Sequence, residues 1–200
     1  MCFHSKLSKS AQELQNRFKA KIENEALFTP TIYNGFQFPT TPVITNKQPD
    51  KIQFYSWGLI PFWAKDDSIK KNTLNARIET IHEKPSFRNS VNNRCLILAD
   101  GFYEWQWLDD KGKQKQKYEL TLPDNELFAF AGLYSEWTDK STGEIINTYT
   151  ILTTEANELM CKIHNTKKRM PVIVSADNEQ TWLNGQQLIM RNDKLKATEI

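Results

Sequence analysis

The stretch Arg94-Cys95-Leu96-Ile97-Leu98-Ala99-Asp100-Gly101-Phe102-Tyr103-Glu104-Trp105-Gln106-Trp107 decides the fold. Large apolar and aromatic side chains dominate it, which favours extended chain. Gly101 in its middle marks a bulge or a bend. Asp109-Asp110-Lys111-Gly112 follows as a hairpin turn signal, and Lys113, Lys115 and Lys117 then alternate as in a returning strand. Outward from this hairpin, residues 52–57, 73–79, 127–134, 148–153 and 171–174 also read as extended. Ser10-Ala11-Gln12-Glu13 has the form of a capping box, and Ala11, Leu14, Phe18 and Ile22 follow at helical spacing, so a helix is predicted over 10–24. Residues 155–163 and a segment carrying Trp182 and Leu183 read as further short helices. Pro30, Pro39, Pro42 and Pro49 with Gly35 make 29–50 a turn-rich passage. Strands and helices are interspersed without regular βαβ alternation. The expected fold is therefore α+β, a single domain with a curved, barrel-like, mostly antiparallel sheet flanked by short helices. The domain is expected over 1–185, with a polar tail over 186–200.

The 200 residues carry 26 basic and 24 acidic side chains, a formal net charge of +2, with 39% hydrophobic residues. That excludes a disordered chain and a globally polycationic binder, and leaves room for a local basic surface. No apolar run approaches the ~20 residues of a membrane span. The start lacks an apolar signal region, and the three cysteines, Cys2, Cys95 and Cys161, stand far apart. These features point to a reducing cytoplasm, no membrane and no disulfide framework. The cysteines and His4, His82 and His164 show no zinc spacing, and no phosphate loop or dinucleotide motif is present, so no metal or cofactor is expected.

Five segments could carry chemistry. Aminopeptidases remove Met1 when the second side chain is small, which would make Cys2 the terminus. A terminal amine has a pKa of about 7.7–8.0, so part of it is neutral near pH 7 and can attack an aldehyde. The adjacent thiol can then close a five-membered thiazolidine. The plain alternative is an accidental second residue on a frayed end. Asn75 and Arg77 share one face of a strand, a donor-rich pair for phosphate or a sugar oxygen, or else an ordinary polar edge. Asp100 and Glu104 close an apolar, aromatic run. Desolvation there raises a carboxyl pKa and suits proton transfer, unless both groups only bond turn amides. His164 ends a helix just before Lys167, Lys168 and Arg169, which reads as an anion site with a proton carrier, or as a capped helix and a solvated charge run. Trp57-Gly58-Leu59-Ile60-Pro61-Phe62-Trp63 carries rings that could stack on bases, or anchor a loop.

Taken together, Met1-Cys2, Trp57-Gly58, Asn75-Ala76-Arg77, the run from Ala99 to Trp105, and Ile163-His164 through Met170-Pro171 resemble the SRAP (SOS-response-associated peptidase) family over nearly the whole chain. The resemblance implies binding of single-stranded DNA in the DNA-damage response and a covalent thiazolidine crosslink to abasic sites, made by a monomer. It implies that Cys2 is the crosslinking residue and that Asn75 and Arg77 contact the sugar and its phosphates. It implies that Glu104 and His164 move protons. Trp57 and Trp63 look like the family's aromatic loop, with His4, Lys167, Lys168 and Arg169 on the DNA. Phe3-His4 stand where the family often has Gly-Arg. An N-terminal-cysteine peptidase and a non-catalytic nucleic-acid reader are the alternatives.

Overall fold

The computed structural model describes residues 2–186 and 195–200. In chain order its strands and helices are β1 (His4–Leu7), α1 (Ala11–Phe18), β2 (Lys21–Ile22), β3 (Thr31–Asn34), β4 (Thr40–Thr45), β5 (Gln48–Trp57), β6 (Asn75–Arg77), β7 (Arg94–Ala99), β8 (Gly101–Trp107), β9 (Lys115–Thr121), β10 (Phe128–Thr138), β11 (Ile145–Glu155), α2 (Glu158–Ile163), β12 (Arg169–Pro171), β13 (Ile173–Val174), α3 (Glu179–Leu183) and β14 (Lys196–Glu199).

The fold is α+β. Five strands close a ring in the order β5-β4-β7-β10-β11, and β11 returns to β5 through Thr148↔Ser56 and Tyr149↔Trp57. That closing pair is parallel, as are β11 with β6 and β2 with β5, so the sheet is mixed rather than uniformly antiparallel. Closure removes exposed sheet edges. A second sheet, β14-β9-β8-β1-β3, is antiparallel throughout. Ala99, Leu98, Phe128, Phe130 and Ile151 are buried in the common core. Among the described residues no helix is long and apolar enough to cross a membrane.

The decisive stretch breaks at Asp100. β7 joins the closed ring and β8 joins the second sheet, so one continuous run serves both layers. Asp100 is fully buried at this corner. Its carboxylate accepts from the Ser8 backbone N–H at 3.0 Å and from the Ser8 hydroxyl, and its own N–H donates to Lys6 O. It is a corner clamp, as the turn-amide alternative supposed. The capping box forms at Ser10 and Glu13. The helix ends at Phe18, not at 24, because Lys19 takes a left-handed conformation (φ 54°) and Ile22 pairs with Ile52 in β2–β5. Part of the expected tail returns as β14, antiparallel to β9, and 187–194 lies outside the described residues. Cys95 is buried, whereas Cys161 is only half-buried.

Candidate active site and nucleic-acid interface

β1 delivers Cys2 into the interior. In β1 the pairs His4↔Tyr103 and His4↔Asn34 fix the strand between β8 and β3, and the Phe3 carbonyl accepts from the Gly35 N–H at 2.8 Å. Gly35 eases this close approach. A Cβ there would lie 3.3 Å from both Phe3 O and the Trp57 ring. Cys2 is wholly buried, and its thiol points to His4 O at 3.7 Å. The Asn75 amide donates to Cys2 O at 2.9 Å, so the chain start is held by its backbone and not only by packing. The Asn75 carbonyl oxygen is buried and has no hydrogen-bond partner, which leaves an acceptor facing the site.

Trp57 explains how Asn75 is placed. Its indole is fully buried, donates to Leu74 O at 2.8 Å and stacks on Tyr149 at 6.1 Å. It therefore supports the residue before Asn75 from below. Burial removes Trp57 from any stacking on a base, so its expected place on the DNA is corrected and the loop-anchor alternative holds for this ring. The rest of that loop divides. Leu59, Ile60 and Ala64 turn inward, the Trp137 indole donates to Ala64 O at 2.9 Å, and Phe62 (63% exposed) and Trp63 (44%) face solvent. Arg77, two residues along β6 from Asn75, is exposed, and its guanidinium makes no hydrogen bond or ion pair among the described residues.

Glu104 lies on the inward face of β8. It is 4% exposed. Burial pushes its carboxyl up to about 7, where the acid and the carboxylate coexist at neutral pH. The Cys2 thiol is pushed well up as well, first by burial and then by the nearby Glu104 charge. The two groups are thus electrostatic neighbours.

His164 caps α2 and is buried, which pulls its pKa down to about 4 and keeps the ring neutral at pH 7. Its Nδ1 lies 3.2 Å from the Arg169 N–H and 3.0 Å from the Arg169 carbonyl, so either tautomer finds a partner. The loop after α2 docks on β8 just beyond Glu104. Asn165 exchanges two hydrogen bonds with the Trp107 backbone, and Gln106 donates to Lys162 O. Arg169 itself is not a surface cation. Its guanidinium forks onto Glu79 at 3.0 and 2.7 Å and donates to Thr153 O at 2.7 Å. It is a strut that positions His164, which corrects its place in the predicted cation run. Lys167 and Lys168 remain exposed.

The structure thus gathers Cys2, Asn75 and Glu104, with His164 beside the same end of β8 and Arg77 at the rim. Sequence reading missed one feature. Tyr103, Trp105 and Trp107 stand opposite Glu119, Lys117 and Lys115 across the β8–β9 hairpin. The signal was present as two period-2 patterns flanking the turn at 109–112.

A single barrel domain thus holds the buried Cys2 thiol, the Asn75 amide, a carboxyl of raised pKa at Glu104 and the neutral His164 ring. The SOS response associated peptidase (SRAP) family model matches residues 1–198, and the chain belongs to that family. It is 48% identical over 143 residues to the abasic site processing protein YoqW of Bacillus subtilis (strain 168), a match covering 71% of this chain and 61% of that protein. It is 35% identical over 152 residues to the abasic site processing protein HMCES of Gallus gallus, covering 64% of this chain and 44% of that protein. The chain thus spans less than two thirds of these relatives' length. Among solved structures, a protein from Bacteroides thetaiotaomicron superposes with a TM-score of 0.90 at 35% identity, covering 100% of this chain and 92% of that one. One from Bordetella bronchiseptica gives 0.81 at 25% identity, covering 100% and 99%.

Proposed function

We propose that this chain processes abasic sites in single-stranded DNA by linking itself to them through Cys2 once Met1 is removed. The observation that carries the reading is the Asn75 amide on Cys2 O at 2.9 Å beside a carboxyl poised at about 7. With Met1 removed, this arrangement supports an aminothiol in a fixed pose next to a group that can give or take a proton. The names of the relatives, abasic site processing proteins, agree with it.

The abasic sugar is a closed hemiacetal in equilibrium with an open aldehyde. Protonated Glu104 gives its proton to the ring oxygen as the bond from C1′ to that oxygen breaks and the C1′ hydroxyl loses its own. The Cys2 amine adds to C1′, and the carbinolamine loses water to give an imine. The neutral His164 ring accepts or returns protons in this step. The thiol then adds across the C=N bond. Sulfur bonds to C1′, the thiol proton ends on nitrogen, and the net change is one water released. The Asn75 amide and Arg77 at the rim serve the sugar oxygens and flanking phosphates, since no base is present to be read.

The test is intact mass after incubation with an abasic oligonucleotide. The expected product survives denaturation, weighs protein lacking Met1 plus DNA minus one water, and is absent for Cys2→Ala. An undiminished adduct with Cys2→Ala sinks the proposal.

A further inference from the structure

β1 begins at His4, so beyond Tyr103 the β1 side of β8 has no strand beside it. A hollow of about 240 Å³ opens there, lined by Phe3, His4, Phe36, Glu104, Trp105 and Lys115. Its rings are arranged in pairs. Phe3 lies 4.7 Å from Phe36, which is 59% exposed, and His4 meets Trp105 edge-on at 4.9 Å. Burial and the charge of Lys117 lower the His4 pKa, and its buried Nδ1 has no hydrogen-bond partner. The hollow touches Glu104 on one side and runs onto the outer face of the hairpin on the other. On that face Lys117 lies over Tyr103 at 4.2 Å and over Trp105 at 5.7 Å, and Lys115 lies over Trp107 at 5.1 Å. Among the described residues neither ammonium has a carboxylate partner, whereas Lys6 is paired with Glu119 at 2.6 Å.

We infer that the hollow and the β8–β9 face carry the DNA strand away from the abasic nucleotide, with the neighbouring base stacked in the hollow against Trp105 and its phosphates on Lys115 and Lys117. The inference rests on the proposed function, and it deepens it by assigning a base-binding subsite. Charge decides the orientation. The Glu104 carboxyl in the wall disfavours phosphate beside it, while Lys115 on the opposite lining and Lys117 over Tyr103 on the hairpin face offer ammonium groups. A neutral His4 contacts a base or sugar through a hydrogen bond rather than a phosphate through its charge. Aromatic faces accept any base, so the subsite adds affinity without sequence preference. The surface also has continuity with the site, because Trp105 directly follows Glu104.

The experiment compares an abasic trinucleotide with an abasic 15-mer of single-stranded DNA, using wild type, Trp105→Ala, Trp105→Phe and Lys115→Glu/Lys117→Glu. Wild type that forms no adduct with either oligonucleotide overturns the proposed function itself. Given wild-type adduct, Trp105→Ala and the double variant are expected to bind the 15-mer about tenfold more weakly. For the double variant the slope of log affinity against log salt becomes shallower by about 1.4. Adduct formation with the trinucleotide at saturation stays unchanged, and Trp105→Phe keeps most of the affinity, which separates stacking from misfolding. Equal 15-mer affinity in all four proteins overturns the inference. So does competition by inorganic polyphosphate that matches an undamaged 15-mer together with a silent Trp105→Ala, because the face is then a polyanion patch.

Discussion

The two halves of β8 differ in one physical respect, access to water, and that difference divides the labour of the molecule. Inward-facing Phe102 and Glu104 are buried, and a buried carboxyl becomes a proton donor at neutral pH. Trp105, Gln106 and Trp107 are half-buried, with Lys117 and Lys115 over the two indole rings. The boundary falls between Glu104 and Trp105, so these environments lie one residue apart. Substitutions in the buried half should therefore change the rate of bond formation, and those in the half-buried half and on its lysines should change affinity.

Glu104→Gln makes the largest test of that division. Glutamine keeps the shape and cannot donate the proton, so adduct formation at saturating DNA should slow by roughly 10²- to 10⁴-fold. The pH profile carries the sign. The acid form of Glu104 is depleted as pH rises through about 7, so its contribution falls on the alkaline side, opposite to the Cys2 amine, which gains neutral form there. In Glu104→Gln the alkaline decline should vanish while DNA affinity stays near wild type. A variant that keeps both the rate and the decline would remove Glu104 from the chemistry.

The contrast also shows what sequence reveals. The capping box at Ser10 and Glu13, the hairpin at 109–112 and the α+β class were legible, because each is written in local pattern. The ring closure between β11 and β5 was not, since it joins Tyr149 to Trp57 across distant sequence. The helix over 10–24 failed at one backbone angle, at Lys19. The chemistry-bearing residue types at Cys2, Asn75, Glu104 and His164 could be named, but not their partners. Composition could not tell Trp57 from Trp63, or Arg169 from Lys167, because exposure belongs to the assembled barrel.

The two tryptophans give the second test. Trp57→Ala deletes a fully buried ring and its bond to Leu74 O, so stability should drop by about 3–5 kcal/mol. Trp63→Ala should change stability by no more than about 0.5 kcal/mol and weaken single-stranded DNA binding several-fold. Thermal melts and a binding titration on each protein measure both. Equal destabilisation by the two variants would erase the distinction between strut and surface ring.

The smallest effect separates three adjacent cations. Lys167 and Lys168 are exposed, while Arg169 is 7% exposed and forked onto Glu79. Exposed cations steer and hold phosphate but add little to the fold. Lys167→Ala/Lys168→Ala should leave the melting temperature alone, reduce DNA affinity a few-fold at low salt, and converge on wild type as salt is raised. Arg169→Met instead removes charge-assisted bonds to Glu79 and Thr153 worth about 1–3 kcal/mol. It also loosens the segment whose backbone holds His164 Nδ1. Its deficit should appear in stability and in adduct rate, and salt should not rescue it. A salt-dependent affinity loss in Arg169→Met with unchanged melting would return Arg169 to the DNA surface and undo the division between buried strut and open cation.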